Sequence, residues 1–207
     1  KDTKVKNTYT CLFVSEQICG KINGNLYIRV QQSCTAQRIG KQVENWPRDC
    51  GTVLKEEWMQ FRCDNITTVV RTVSEQAHKL KPNLKVSAAV FGDYPGCKYG
   101  VGQDWVYWCQ QHYLDFVCPM DYTDSDTRFR NLVTNQVAAV NHAVPLYAGI
   151  GQFITPDDQV VGQIEMTREL GADGFILFNM GLGLAEQTLP NLVKGVTSAP
   201  AKVPHRK

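Results

Sequence analysis

The chain has 207 residues, 43% of them hydrophobic and 20% charged, with a formal net charge of +2. That is the composition of an ordinary globular domain with enough apolar residues for one sizeable core. Lys and Arg are scattered, so neither a nucleic-acid stripe nor a charged tail is indicated. The longest apolar runs, such as residues 86–91, are strand-length and too short to span a membrane.

Lys1-Asp2-Thr3-Lys4 has no apolar stretch behind it, so no signal peptide is visible. Residues 1–40 read as an irregular N-terminal segment with one candidate strand at 25–30 (NLYIRV). Trp46-Pro47 begins a loop that leads into a long helix over 61–80. There Ile66, Val69, Val70, Val73, Ala77 and Leu80 share one face at spacings of three and four.

From residue 84 the chain falls into a rhythm of about 30 residues. Four short apolar runs, 84–91 (LKVSAAVF), 115–120 (DFVCPM), 144–150 (VPLYAGI) and 174–178 (GFILF), alternate with helical patterns. Near-continuous apolarity marks strands covered on both faces, as in parallel sheets with helices outside. The intervening helices are expected at 102–112, 125–140, 157–170 and 184–193. For the third, Thr155 is the expected N-cap, with Pro156 at the first helical position, Asp158 completing the capping pair and Gly171 as the stop. Residues 198–207, with Pro200 and Pro204, read as a disordered tail.

This βα rhythm fits a (β/α)₈ barrel or a doubly wound sheet. Gly181-Leu182-Gly183 follows the last strand but lacks the third glycine of a nucleotide-binding turn, so it reads as a loop and the barrel is favoured. About five parallel strands, counting the candidate at 25–30, would make the C-terminal half of a barrel of eight, with the half-barrel itself over 41–197. The missing half, or association with another copy, would then complete the sheet.

The eight cysteines (Cys11, Cys19, Cys34, Cys50, Cys63, Cys97, Cys109, Cys118) form no C-x-x-C pair and no Cys/His cluster, so no metal site is expected and no cofactor is implied. They read as buried free thiols, with a Cys34–Cys50 disulfide left open.

In a barrel, chemistry sits at the C-terminal strand ends. That rule selects Arg29, Asp93, Tyr94, Asp121, Tyr122, Asp124, Gly151, Gln152 and Asn179. Glycoside hydrolysis needs two carboxyl groups flanking the scissile bond, and Asp121, directly after an apolar strand, is the best-placed acid. Sugars also need flat apolar surfaces with polar edges. Tyr94 and Tyr122 are the stacking candidates. Trp105 joins the substrate-binding set, although Trp105 and Trp108 share a helix face and at least one is expected to be buried. Asp104 is expected to cap a helix.

Several stretches resemble one family: EWMQFR at 57–62, KVSAAVF at 85–91, Gly102-Gln103-Asp104-Trp105 with Trp108, DFVCPMDYT at 115–123, YAGIG at 147–151 and GFILFN at 174–179. They resemble the C-terminal half of bacterial glycosyl-hydrolase-like family ten, a group of barrel proteins, over residues 43–192. The resemblance implies a carbohydrate substrate or ligand and a secreted or periplasmic location.

The chain also departs from that pattern. Where the family carries Asp-Tyr-Ile-Arg-Tyr-Pro, this chain reads Leu26-Tyr27-Ile28-Arg29-Val30-Gln31, so Leu26 replaces the acid. The following Cys-rich loop is shortened around Ser33-Cys34, and residues 1–25 do not match. The expectation is a glycoside-hydrolase-like domain that acts on or binds a glycan, incomplete and weakly active or inactive alone. The alternative is a non-catalytic carbohydrate-binding or structural remnant.

Overall fold

The computed structural model describes residues 35–179 and 181–202. The strand expected at 25–30, with Leu26 and Arg29, lies outside them, as do Cys11, Cys19 and Cys34. The chain divides between Ile66 and Thr67 into two compact units. In the first, short helices at 35–39 and Arg48–Gly51 lead into helix α1, Lys55–Leu80, which begins six residues before the helix expected at 61–80. Val43, Cys50 and Leu54 form its core, packed by Ala36, Ile39, Trp46 and Trp58. Asp49 stabilises the turn before it by accepting from the Glu44 and Asn45 amides at 2.9 and 2.8 Å.

The second unit holds strands β1 (Ser87–Phe91), β2 (Phe116–Met120), β3 (Tyr147–Gly151) and β4 (Gly174–Phe178). They form one parallel sheet in the order β1-β2-β3-β4, as the rhythm predicts. Between β1 and β2 lie two short helices, α2 (Gly96–Val101) and α3 (Trp105–Gln110). Helix α4 (Asp126–Val140) joins β2 to β3, and α5 (Asp157–Glu169) joins β3 to β4.

Sequential order with right-handed crossovers places all these connections on one face of the sheet. Strand alternation then fixes the burial. Val90, Val117, Ala148 and Ile150 are buried on the helix side, against stripes containing Phe129, Val133 and Val140 on α4 and Val160 and Ile164 on α5. On the opposite, open face, Phe91, Ile176 and Phe178 remain substantially exposed.

Aspartates clasp the N-terminal strand ends. The Val86 amide donates to Asp115 Oδ2 at 2.8 Å while the Asp115 amide donates to the Val86 carbonyl. Leu146 and Asp173 repeat the exchange between β3 and β4.

Several local expectations are corrected. Helix α5 starts at Asp157 as expected, but Pro156 is extended (φ −58°, ψ 153°) and occupies the N-cap instead of the first helical position. The Thr155 hydroxyl does not cap it and is buried without a partner. Asp104 occupies the N-cap of α3, but its carboxylate turns to Tyr94 and Lys98 instead of the helix amides. Gly181–Gly183 opens a helix instead of a loop. A π-helical segment, Leu184–Thr188, follows and runs into α6, Leu189–Lys194. Among the described residues, Cys50, Cys63, Cys97 and Cys109 are buried thiols and Cys118 is a half-buried one, none in a disulfide.

Candidate functional site

Strand parity decides which side chains at the C-terminal ends reach the open face. Tyr122 follows Met120 on that face, Phe153 follows Gly149 and Gly151, and Phe178 follows Ile176. The three rings meet. Tyr122 and Phe178 stack with centroids 5.3 Å apart and planes 16° apart. Phe153 stands edge-on to both, at 5.7 and 6.0 Å.

Gly151 makes the cluster fit. A Cβ there would lie 3.0 Å from Tyr122 Cβ and 3.2 Å from Phe153 Cε1. Phe153 and Phe178 are 55% and 46% exposed, so much of this aromatic surface faces solvent. Asn179 is exposed beside Phe178. Gln152 donates to Thr188 Oγ1 at 3.3 Å, and Thr188 donates to Asp157 at the start of α5. Of the expected site residues, Tyr122 therefore belongs to this face, and Asn179 follows Phe178 as an exposed residue. Phe153 and Phe178 were missed; the signal for Phe178 was an aromatic at the open-face parity of its strand end, while Phe153 lies in the turn beyond β3.

Asp121 is the main correction. It shares the parity of Val117 and Pro119, so its side chain turns to the helix side and is fully buried. Its Oδ1 accepts from Gln136 Nε2 of α4 at 2.5 Å. Burial pushes its carboxyl up to about 7, against a smaller downward pull from the Gln136 amide. A raised carboxyl suits a general acid, but its oxygens face a helix, not the open surface.

Trp105 is corrected as well. It is 0% exposed, and its Nε1–H donates to the Phe91 carbonyl at 3.1 Å, so neither ring face is free for a sugar. Trp108 is buried too, donating to Thr67 Oγ1 at 2.8 Å.

Tyr94 packs edge-on to Trp105 at 5.2 Å and donates its hydroxyl to Asp104 Oδ1 at 3.0 Å. Burial first, then the Asp104 charge, raises its phenol above the ordinary range. Lys98 pairs with the same aspartate at 2.8 Å. Tyr94 thus ties the loop after β1 together instead of joining the aromatic cluster. Asp93 is exposed, with its carboxylate against Gly96. Arg29 lies outside the described residues. Among the described residues no His/Cys/Asp/Glu group could hold a metal ion, and no helix is long and apolar enough to cross a membrane.

The helices contribute two residues that the sequence patterns did not single out. Gln136 and Gln163 occupy the buried stripes of α4 and α5, where a polar residue among Phe, Val and Ile is the readable signal. Gln136 Nε2 also donates to the Gly92 carbonyl at 2.8 Å, and Gln163 Nε2 donates to the Thr123 carbonyl at 2.9 Å. Each thus ties down the chain just beyond a strand of an earlier unit.

A parallel sheet with crossover helices on one face and aromatic rings gathered at its strand ends defines an α/β domain. A family model described as Glycosyl hydrolase-like 10 matches residues 28–159, and the chain belongs to that family. No curated protein matches the chain.

Proposed function

We propose that this chain is a carbohydrate-recognising domain of a barrel-type glycoside-hydrolase fold, with Tyr122, Phe153 and Phe178 as its sugar platform. The observation that carries this reading is the pair of half-exposed phenylalanines held around Tyr122 at three successive strand ends. Pyranose rings present apolar C–H faces, and aromatic rings offer a matching flat surface while a tyrosine hydroxyl or an amide such as Asn179 serves the sugar hydroxyls.

Hydrolysis needs two carboxyl groups across the scissile bond, about 5–9.5 Å apart depending on stereochemistry. Asp121 is turned to Gln136 and is unsuited to either role, so we favour recognition without turnover. The test is a glycan array beside a reducing-sugar assay, with wild type, Tyr122→Ala and Asp121→Asn. Glycan retention that Tyr122→Ala abolishes and Asp121→Asn leaves intact supports the reading. Turnover lost in Asp121→Asn overturns it, as does the absence of any retained glycan.

A further inference from the structure

Of the four buried side-chain oxygens without a partner among the described residues, two sit on side chains already joined to each other. Gln136 Nε2 spends both hydrogens, one on Asp121 Oδ1 at 2.5 Å and one on the Gly92 carbonyl at 2.8 Å. Asp121 Oδ2 and Gln136 Oε1 are left over, both buried and without a hydrogen bond. An ionised carboxylate only accepts, and so does an amide oxygen, so these atoms cannot satisfy each other as they stand. Leaving two such acceptors dry is costly. A single proton on Asp121 Oδ2 resolves both, because the hydroxyl then donates to Gln136 Oε1 and closes a reciprocal acid–amide ring.

We propose that Asp121 is a neutral carboxylic acid in the folded protein, paired reciprocally with Gln136, and that this pair positions the chain after β1 and β2, including the Tyr122 turn.

The surroundings agree. Among the described residues no ion pair involves Asp121. On its own strand the titratable neighbours are Cys118, pushed up to about 11 by burial, and Tyr122, raised by burial and then by the charges of Asp121 and Cys118. Both are uncharged near neutrality. From β1 it meets Gly92, while the carboxylate of the adjoining Asp93 lies against Gly96. From β3 it meets the Gly149 carbonyl, which accepts the Asp121 amide, and the one titratable residue of β3, Tyr147, has open-face parity. Helix α4 buries Phe129, Val133, Gln136 and Val140, and its charged Asp126, Arg128 and Arg130 are exposed. No cation from these elements offsets a buried charge.

The direction of the pH effect follows. A carboxyl raised in the folded state, to about 7 here, retains its proton where the unfolded chain has lost one, above about 3.9. Its contribution to stability is fully present below the unfolded value and is lost as pH climbs through the folded value. Asp121→Asn tests this directly, because the Asn amide supplies an N–H where the acid supplies its O–H and has no proton to lose. The urea midpoints of wild type and D121N should converge near pH 4. D121N should then pull ahead as pH rises to about 7, with no further change beyond. The shift in the folding equilibrium should reach up to about a thousandfold, as roughly three pH units between folded and unfolded values imply.

Infrared difference spectra near pH 5.5 should carry a protonated-carboxyl carbonyl band that D121N lacks and that Gln136→Leu shifts. A gap independent of pH, or one in which wild type gains on D121N as pH rises, overturns the proposal. If D121N does not fold, the wild-type infrared titration decides. A protonated aspartate surviving near pH 6 supports the pair, and its loss by about pH 5 refutes it. No glycan enters these measurements, so their outcome is separate from that of the sugar-binding reading.

Discussion

Replacing Trp105 and Phe178 in turn separates a core aromatic from a surface one. Trp105 is fully buried, and its indole N–H is the partner of the Phe91 carbonyl. Truncating a buried Trp to Ala costs about 3–5 kcal/mol in lost contacts and cavity, and stranding a buried carbonyl adds about 1–3 kcal/mol. These costs overlap, so a loss of at least about 4 kcal/mol is expected for Trp105→Ala. For a domain of this size that corresponds to a Tm lower by about 8–16 °C.

Phe178 is 46% exposed and removes only part of its ring from water. Phe178→Ala should therefore cost about 1 kcal/mol, or a Tm change within about 4 °C. Thermal unfolding by circular dichroism, run beside glycan retention, measures both effects. Phe178→Ala should abolish retention in a folded protein, and Trp105→Ala should lower the Tm without any selective effect on the ligand. If Trp105→Ala instead stays within about 1 kcal/mol of wild type and loses retention, the buried assignment of Trp105 is refuted.

Gly149→Ala would place a Cβ 2.5 Å from the Pro119 carbonyl of the adjacent strand, a backbone atom that cannot move aside. A loss of about 3 kcal/mol is expected, read by urea denaturation. Gly151→Ala should leave the secondary structure intact while spreading the Tyr122 and Phe153 rings, which near-UV circular dichroism would report as a changed aromatic signal. Burial opposes ionisation of Asp115, but the Val86 amide, Lys85 and His78 together outweigh it and hold its carboxyl below the ordinary value. Stability from this clasp is therefore present above the unfolded carboxylate value and is lost as pH falls through the lower folded value. Asp115→Asn should flatten the acid limb of a stability–pH curve.

The sheet was legible because near-continuous apolar runs and their 30-residue spacing depend on local chemistry that any parallel βα array shares. Strand order follows from short right-handed connections. The site was less legible because position after a strand was weighed without parity. Asp121 and Tyr122 both follow β2, yet one shares the phase of buried Val117 and the other that of half-buried Met120, and this alone sends them to opposite faces. Trp105 lies on a six-residue helix, where propensity says nothing about which face is covered; the Phe91 carbonyl that receives its indole N–H comes from a strand 14 residues away. Phe153 stands in a turn without periodic pattern, and only the meeting of three strand ends gives it neighbours. Gln136 was visible as a polar residue in an apolar stripe, but its two partners come from different strands.

The pairing within the sheet is uneven, and one residue accounts for much of it. β1 and β2 match over five residue pairs, as do β3 and β4, whereas β2 and β3 share only the Met120–Gly149 pair and the Val117–Leu146 bridge. On this side of β2 the amide donors come from alternate residues. Val117 donates to the Pro145 carbonyl and Asp121 to the Gly149 carbonyl. The position between them is Pro119, whose nitrogen carries no hydrogen, so the middle rung is missing. The aspartate clasps follow the same division, since Asp115 closes β1 on β2 and Asp173 closes β3 on β4, and neither reaches across the β2–β3 seam. What crosses that seam at the C-terminal end is the Asp121 amide on the Gly149 carbonyl and the Tyr122 ring stacked on Phe178. The residues at the proposed sugar platform are thus also the ties between two strand pairs, and a ligand resting on Tyr122 and Phe178 together would bridge the least-paired junction of the sheet.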